Sequence, residues 1–195
     1  MRKAIIKRTT RETKIEIKVN LDGKGCFNIK TPIGFLTHML ELFSLHSVFD
    51  LNVKAKGDID VDYHHLVEDI GIGLGMAIKQ ALKNKKGINR YGFFILPMDN
   101  TLVEVSLDIS NRPLLVYNVK FKSPYRKKDF DFDLIEEFFK ALVNNLGLTL
   151  HINLKYGKGN HHISEAIFKC FARALRSAVE INPKVKSIPS TKKTL

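Results

Sequence analysis

Hydrophobic and polar positions alternate with a period of two in "TKIEIKVNL" (13–21), "FDLNVKAKGD" (49–58), "TLVEVSLDIS" (101–110), "LLVYNVKFK" (114–122) and "LTLHINLKYG" (148–157). That is the pattern of strands with one buried face. A helical period replaces it in "GFLTHMLELFSLHSVF" (34–49), in "VEDIGIGLGMAIKQALK" (67–83) despite three glycines, in "DFDLIEEFFKALVNNLG" (131–147) and in "SEAIFKCFARALRSAVEI" (164–181). Turn residues punctuate these runs: Asp22-Gly23 suggests a hairpin turn, Gly147 ends the helix before it, and Asn182-Pro183 stops the last helix. Short strands with helices packed on one face predict an α+β fold.

The pattern also repeats. At an offset of 97 residues Phe35 falls on Phe132, Leu51 on Leu148, Ala77 on Ala174 and Ala81 on Ala178. At the same offset "DYHHLVEDIG" (62–71) is answered by "GNHHISEAIF" (159–168), so His-His-x-x-Glu is written twice. Two halves of similar fold follow, residues 1–90 and 91–195, joined in one compact unit.

With 195 residues and 44% apolar content, the chain suits a soluble globular protein. No run approaches the ~18 apolar residues of a membrane helix, and "AII" after Lys3 is too short for a signal-peptide core, so a cytoplasmic protein that does not engage membranes is expected. Cys26 and Cys170 lie in no CxxC pattern and read as ordinary buried or half-buried thiols. The net charge of +12 favours anionic partners, phosphate esters or nucleic acid, without choosing between them. The tail "KVKSIPSTKKTL" is basic and polar and is expected to order only when something docks on it.

The histidines carry the chemistry. At about 100° per helical residue, Glu68 projects between His64 and His65, and the three side chains share an arc of about 100°. Adjacent histidines diverge enough that each could serve a different ion. His38, His64 and His65 in the first half and His151, His161 and His162 in the second occupy matched or nearby places; with Glu68 and Glu165 they make eight donors, enough for two metals at four ligands each. Imidazole and carboxylate without thiolate suit Mn, Fe, Co, Ni or Zn rather than a structural zinc knuckle. His46 has no counterpart and reads as a core residue or a support behind the ligands. HExxH is absent, and Asp69 stands where HxxEH would close with histidine, which argues against metallopeptidase chemistry.

The blocks "GFLTHMLELFSLHSVFDL", "DYHHLVEDIGIGLG", "GINRYG", "PMDNTLVEVSLDISNRP", "LHINLKYGKGNHHISEAIFKCFARALRSAV" and "IPSTKKTL" resemble, in order, those of imidazoleglycerol-phosphate dehydratase from Arg8 to Leu195. The resemblance implies a histidine-biosynthesis enzyme that converts imidazole glycerol phosphate to imidazole acetol phosphate with two manganese ions per site. It further implies a duplicated fold like ribosomal protein S5 domain 2, in a homo-oligomeric shell of octahedral, 24-subunit form with active sites at subunit contacts. "RTTRET" is similar to the family's R-x-T-x-E-T block, and Glu12 matches its general acid/base. Motif matches make Arg90, Arg112, Lys169, Ser190 and Lys192 the candidates for the phosphate, where arginine suits bidentate contacts and lysine adds a point charge.

Departures from the family pattern are Leu42 for glutamine, Ser47 for glycine, Leu66 for threonine, Asn100 for glutamate, and Asn111 and Lys193 for glycine. None removes a metal ligand, so they bear on phosphate geometry and turnover. The alternative, a basic α+β RNA-binding protein, has little support. No aromatic-rich RNP-like strand and no KH-type GxxG loop occur, and the basic residues are dispersed, so nucleic acid is not an expected partner.

Overall fold

Along Thr13–Asn20 (β2) Ile15, Ile17 and Val19 are buried while Lys14 and Lys18 are exposed, and along Asp50–Gly57 (β4) Leu51, Val53 and Ala55 are buried while Lys54 and Lys56 are exposed. The two strands pair antiparallel with Ile17 opposite Val53, so their apolar sides share one face. Lys3–Thr9 (β1) joins β2 antiparallel and Phe27–Lys30 (β3) joins β4 in parallel, giving a mixed sheet of order β1-β2-β4-β3. The second half repeats this with Tyr91–Met98 (β5), Thr101–Asp108 (β6), Leu114–Asn118 (β7) and Thr149–Tyr156 (β10), in the order β5-β6-β10-β7. A small ribbon, Arg126–Lys127 (β8) with Phe130–Asp131 (β9), stands apart. The computed structural model describes residues 1–122, 126–127 and 130–192, with only the backbone for 126–127.

The helices are Gly34–Ser47 (α1), His64–Leu82 (α2), Leu134–Leu146 (α3) and Asn160–Val179 (α4). Helix α2 packs on β1 and β2, and α4 on β5 and β6. Across the middle α2 meets α3 and α1 meets α4, so each half covers its helices with the other half's. The core is therefore continuous: Phe43 stacks on Phe171 at 5.7 Å, and Phe171 meets Phe139 at 5.1 Å. Each such buried ring contributes about 2–3 kcal/mol of apolar burial.

The glycines of α2 have a packing reason. A Cβ on Gly71 would lie 2.6 Å from the Phe138 carbonyl oxygen, and one on Gly75 2.6 Å from that of Leu142. Backbone meets backbone there, which only glycine permits. Because 71 advances to 75 as 138 advances to 142, α2 and α3 run in the same direction; Phe35 beside His161 and Phe43 beside Phe171 show the same for α1 and α4. Phe35 also touches Phe130 and Phe132, just ahead of α3, so the N-terminal ends of the helices gather at one end of the molecule.

Several expectations change. The turn at Asp22-Gly23 exists but makes no hairpin, because β3 pairs with β4 rather than β2. Helix α4 stops at Val179, before Asn182-Pro183, and α2 starts at His64, three residues ahead of the periodic run. The 97-residue offset holds from α1 onward only: Lys3 and Tyr91, and Thr13 and Thr101, open equivalent strands 88 positions apart. The extra residues lie between β7 and α3, where the small ribbon sits. His38 and His151 are consequently not repeat equivalents, one lying on α1 and the other on β10.

The tail as far as Pro189 is held by its own chain, without anything docked on it. The Gly87 amide donates to Ser187 O at 3.1 Å, Asn182 N to Gly87 O at 2.8 Å, and Arg90 Nη1 to Pro189 O at 2.8 Å. Among the departures, Asn111 has φ 59°, the left-handed region where glycine is least strained and asparagine is tolerated, while Leu66 is fully buried. Ser47 is buried and donates to Ser44 O, Leu42 packs against the core, and Asn100 is exposed in the β5–β6 turn. Lys193 lies outside the described residues.

Candidate active site

Glu165 is the centre of the best-formed cluster. It lies five residues into α4, 8% exposed, with Oε1 2.7 Å from His161 Nε2 and 3.2 Å from His38 Nε2, while Oε2 accepts from Lys169 Nζ at 2.6 Å. The i, i+4 spacing places His161 and Lys169 one turn to either side of it, and the α1–α4 contact brings His38. Burial works against the charged form of Glu165, but the hydrogen bond from Lys169, aided by those from His38 and His161, prevails and holds the carboxyl at about 2. His46, on α1 about two turns beyond His38, is pushed down by burial first and then by the positive charges of Lys169 and Arg173, which favours a neutral ring.

One donor atom each from His38, His161 and Glu165 lie within 4.8 Å of one another. Two imidazole nitrogens and a carboxylate oxygen at that spacing fit a first-row divalent ion, which would replace the protons now shared between them. Among the described residues this is the sole group of its kind. His64, His65, Glu68, His151 and His162 stand outside it.

The other members of the two motifs follow a common plan. The paired rings diverge in both halves, with His64 and His65 at 6.2 Å and 90° and His161 and His162 at 6.1 Å and 69°. The second histidine of each pair faces a carboxylate on the adjoining strand turn: His65 Nδ1 is 3.6 Å from Glu12 Oε2, and His162 Nδ1 is 3.4 Å from Asp99 Oδ2. Asp99 was missed by sequence reasoning. Its signal was the 88-residue strand offset, which makes the β5–β6 turn the repeat counterpart of the β1–β2 turn that carries Glu12.

The phosphate candidates divide into two groups. Asp108 receives Arg90 through both oxygens, at 2.7 and 3.1 Å, and Arg112 Nη2 at 3.4 Å. Arg90 also holds Pro189, next to Ser190, whose hydroxyl accepts the Lys192 amide at 3.2 Å. The hydrogen bonds that Arg90 donates to Asp108 push its pKa up and favour its charged form. Lys169 is elsewhere, beside Glu165 and 3.4 Å from Met98 Sδ. Arg90 precedes β5 and Met98 ends it, a separation of roughly 25 Å at ~3.3 Å per residue. One chain alone does not bring all five candidates to one phosphate.

Fold and site together define a duplicated α+β protein with a polar site of paired histidines, carboxylates and fixed cations. The family model for imidazoleglycerol-phosphate dehydratase matches residues 31–175. The chain is 52% identical over 192 residues to the imidazoleglycerol-phosphate dehydratase of Syntrophus aciditrophicus, covering 98% of each chain, and 51% identical over 191 residues to that of Geobacter metallireducens, covering 98% of this chain and 97% of that one. The crystal structure of the Staphylococcus aureus enzyme superposes with a TM-score of 0.84 at 42% identity, over 92% of this chain and 99% of that one. That of Pyrococcus furiosus does so with a TM-score of 0.84 at 37% identity, over 97% and 100%. The chain belongs to the imidazoleglycerol-phosphate dehydratase family.

Proposed function

We propose that this chain dehydrates imidazole glycerol phosphate to imidazole acetol phosphate and water in histidine biosynthesis, using two manganese ions per site. The observation that carries this reading is the cluster of His38, His161 and Glu165, standing in a member of this family with the second His-His-x-x-Glu motif intact. The remaining donors are assigned to His64, His65, Glu68, His151 and His162. A divalent ion held by such donors would supply Lewis-acid stabilisation of the substrate's deprotonated imidazole ring, whose electrons help expel the hydroxyl on the adjoining carbon, a help that is needed because no carbonyl adjoins the C–H bond to be broken.

The chain's own groups do the rest. Glu12 removes the proton from the carbon bearing the middle hydroxyl, and that electron pair forms the C=C bond. The C–O bond at the ring-bearing carbon breaks and its hydroxyl leaves protonated, as water. The enol becomes the ketone by releasing its hydroxyl proton and taking one at the ring-side carbon. Arg90 and Arg112, oriented by Asp108, hold the phosphate with Ser190 and Lys192, and Lys169 adds a charge from another copy. That division supports sites shared between subunits; the resemblance to the family carries the further proposal of a cytoplasmic homo-oligomer of 24 chains in octahedral array.

The test is direct. Protein reconstituted with manganese should form imidazole acetol phosphate and carry close to two ions per chain by elemental analysis; a content persistently below one overturns the dimetal reading. Chelation should break the assembly into smaller species by light scattering, since shared ligands tie metal binding to association. An unchanged mass in metal-free protein overturns shared sites.

A further inference from the structure

Asp69 is buried at 6% exposure, and its partners lie on the strands that flank Glu12. Its Oδ1 accepts from Arg8 Nε at 3.2 Å and Nη2 at 2.7 Å, and its Oδ2 accepts the hydroxyl of Thr13. Arg8 is in β1 and Thr13 opens β2, so one carboxylate on α2 grips both sides of the turn that carries Glu12. Within the turn Thr10 Oγ1 accepts the Glu12 amide at 3.1 Å and the Thr13 amide at 2.9 Å, and Asp58 N donates to Glu12 O at 2.9 Å. The outcome is Glu12 Oε2 set 3.6 Å from His65 Nδ1, on the helical turn that carries Glu68.

The duplication supplies a control. At the motif's offset Asp69 becomes Ala166, and at the strand offset Arg8 becomes Leu96 and Thr13 becomes Thr101. The second half keeps the same strands and helix without the ion pair, and Thr101 Oγ1 is buried there with no partner. The fold therefore does not require this network. Burying a charge is costly unless it is fully paired, so the arrangement in the first half serves something that half alone contains. That feature is the proton shuttle assigned to Glu12; Asp99, which faces His162 from the matching turn of the second half, is assigned no such role.

We propose that Asp69 is a positioning residue for the proton shuttle: through Arg8 and Thr13 it locks the Glu12 turn onto the helix that carries His64, His65 and Glu68. This rests on Glu12 being the general acid/base. Misplacing such a group by an ångström costs up to roughly a hundredfold in rate. Asp69→Asn keeps the shape but loses the charge that holds Arg8.

The experiment compares Asp69→Asn, Glu12→Gln and the double variant in the manganese-loaded, assembled enzyme. Asp69→Asn should lower kcat roughly ten- to a hundredfold with KM, metal content and assembly mass unchanged, and should add no further loss in the Glu12→Gln background. Losses that multiply in the double variant, or a kcat unchanged by Asp69→Asn, overturn the proposal. Full activity in Glu12→Gln overturns the shuttle assignment, and the proposal with it. Should Asp69→Asn not assemble, Thr13→Val and Thr13→Ser decide: the valine variant should lose kcat and the serine variant restore it. A valine variant as active as the parent overturns the proposal.

Discussion

Lys169 Nζ lies 2.6 Å from Glu165 Oε2, one helical turn along α4, so a fixed ammonium shares a carboxylate with His38 and His161. It satisfies the oxygen that the histidines do not use. Replacing Lys169 by methionine keeps the aliphatic stem and removes the charge. A dication about 5 Å away would then escape a repulsion of ~1.7 kcal/mol in a water-like dielectric, so manganese affinity should rise roughly fifteenfold. KM for substrate should rise at the same time. Metal titration and steady-state kinetics on the same preparation check both directions.

The two ends of the site should separate on mutation. Glu165→Gln should lower metal content, since an amide is a poorer ligand for a divalent ion. Ending the chain after Pro189 should leave metal content intact and weaken substrate binding roughly ten- to a hundredfold, the equivalent of ~1.5–3 kcal/mol for lost charge-assisted contacts. The cut spares the bond from Arg90 to Pro189 O, so its effect reports on Ser190 and Lys192. Elemental analysis and binding isotherms distinguish the two variants.

Gly71→Ala should be among the costliest small substitutions in the protein. The added methyl would sit 2.6 Å from the Phe138 carbonyl oxygen, a backbone atom that cannot turn aside. Separating α2 from α3 disturbs the longest helix contact in the core, and a loss of about 2–4 kcal/mol is expected, as for other overpacked sites. A midpoint shift in denaturant titration reads it. The same change at Gly34, where nothing lies within 4 Å, should be nearly neutral.

The two thiols should behave oppositely. Cys26 is exposed and should react with a thiol reagent in the native protein, whereas Cys170 is buried with its Sγ directed at the Phe94 and Val103 carbonyls. Burial pushes the Cys170 thiol from its ordinary value near 9 up to about 12. A raised folded value means that its contribution to stability is complete below about pH 9 and is lost as the pH climbs toward 12. One equivalent of label should be taken up before unfolding and two after it. Mass spectrometry counts them.

What could be read directly from residues was whatever a short window encodes. The alternation in β2, β4, β6 and β10 and the helical spacing of α1 and α3 are local, because burial of one face imposes a period wherever the element lies. The doubled His-His-x-x-Glu is equally local, and its second copy marked His161 and Glu165 of the cluster. Strands β1, β3 and β5 escaped notice since each lies at or near an edge: Ile5, Phe27 and Phe93 are exposed, which blurs the alternation.

Contacts between distant segments were decided by tertiary structure alone. That α1 packs on α4 joins His38 to Glu165 across 127 positions, and no periodicity carries such information. The 88-residue offset of the strands against 97 for the motifs hides the pairing of Asp99 with His162 in the sequence, because the inserted ribbon shifts one part of the repeat past the other. The sequence contained Asp69 and Arg8 as an ordinary acid and an ordinary base. Only the docking of α2 against β1 and β2 buries that acid, and a buried carboxylate must find donors; it finds them on the two strands that carry Glu12.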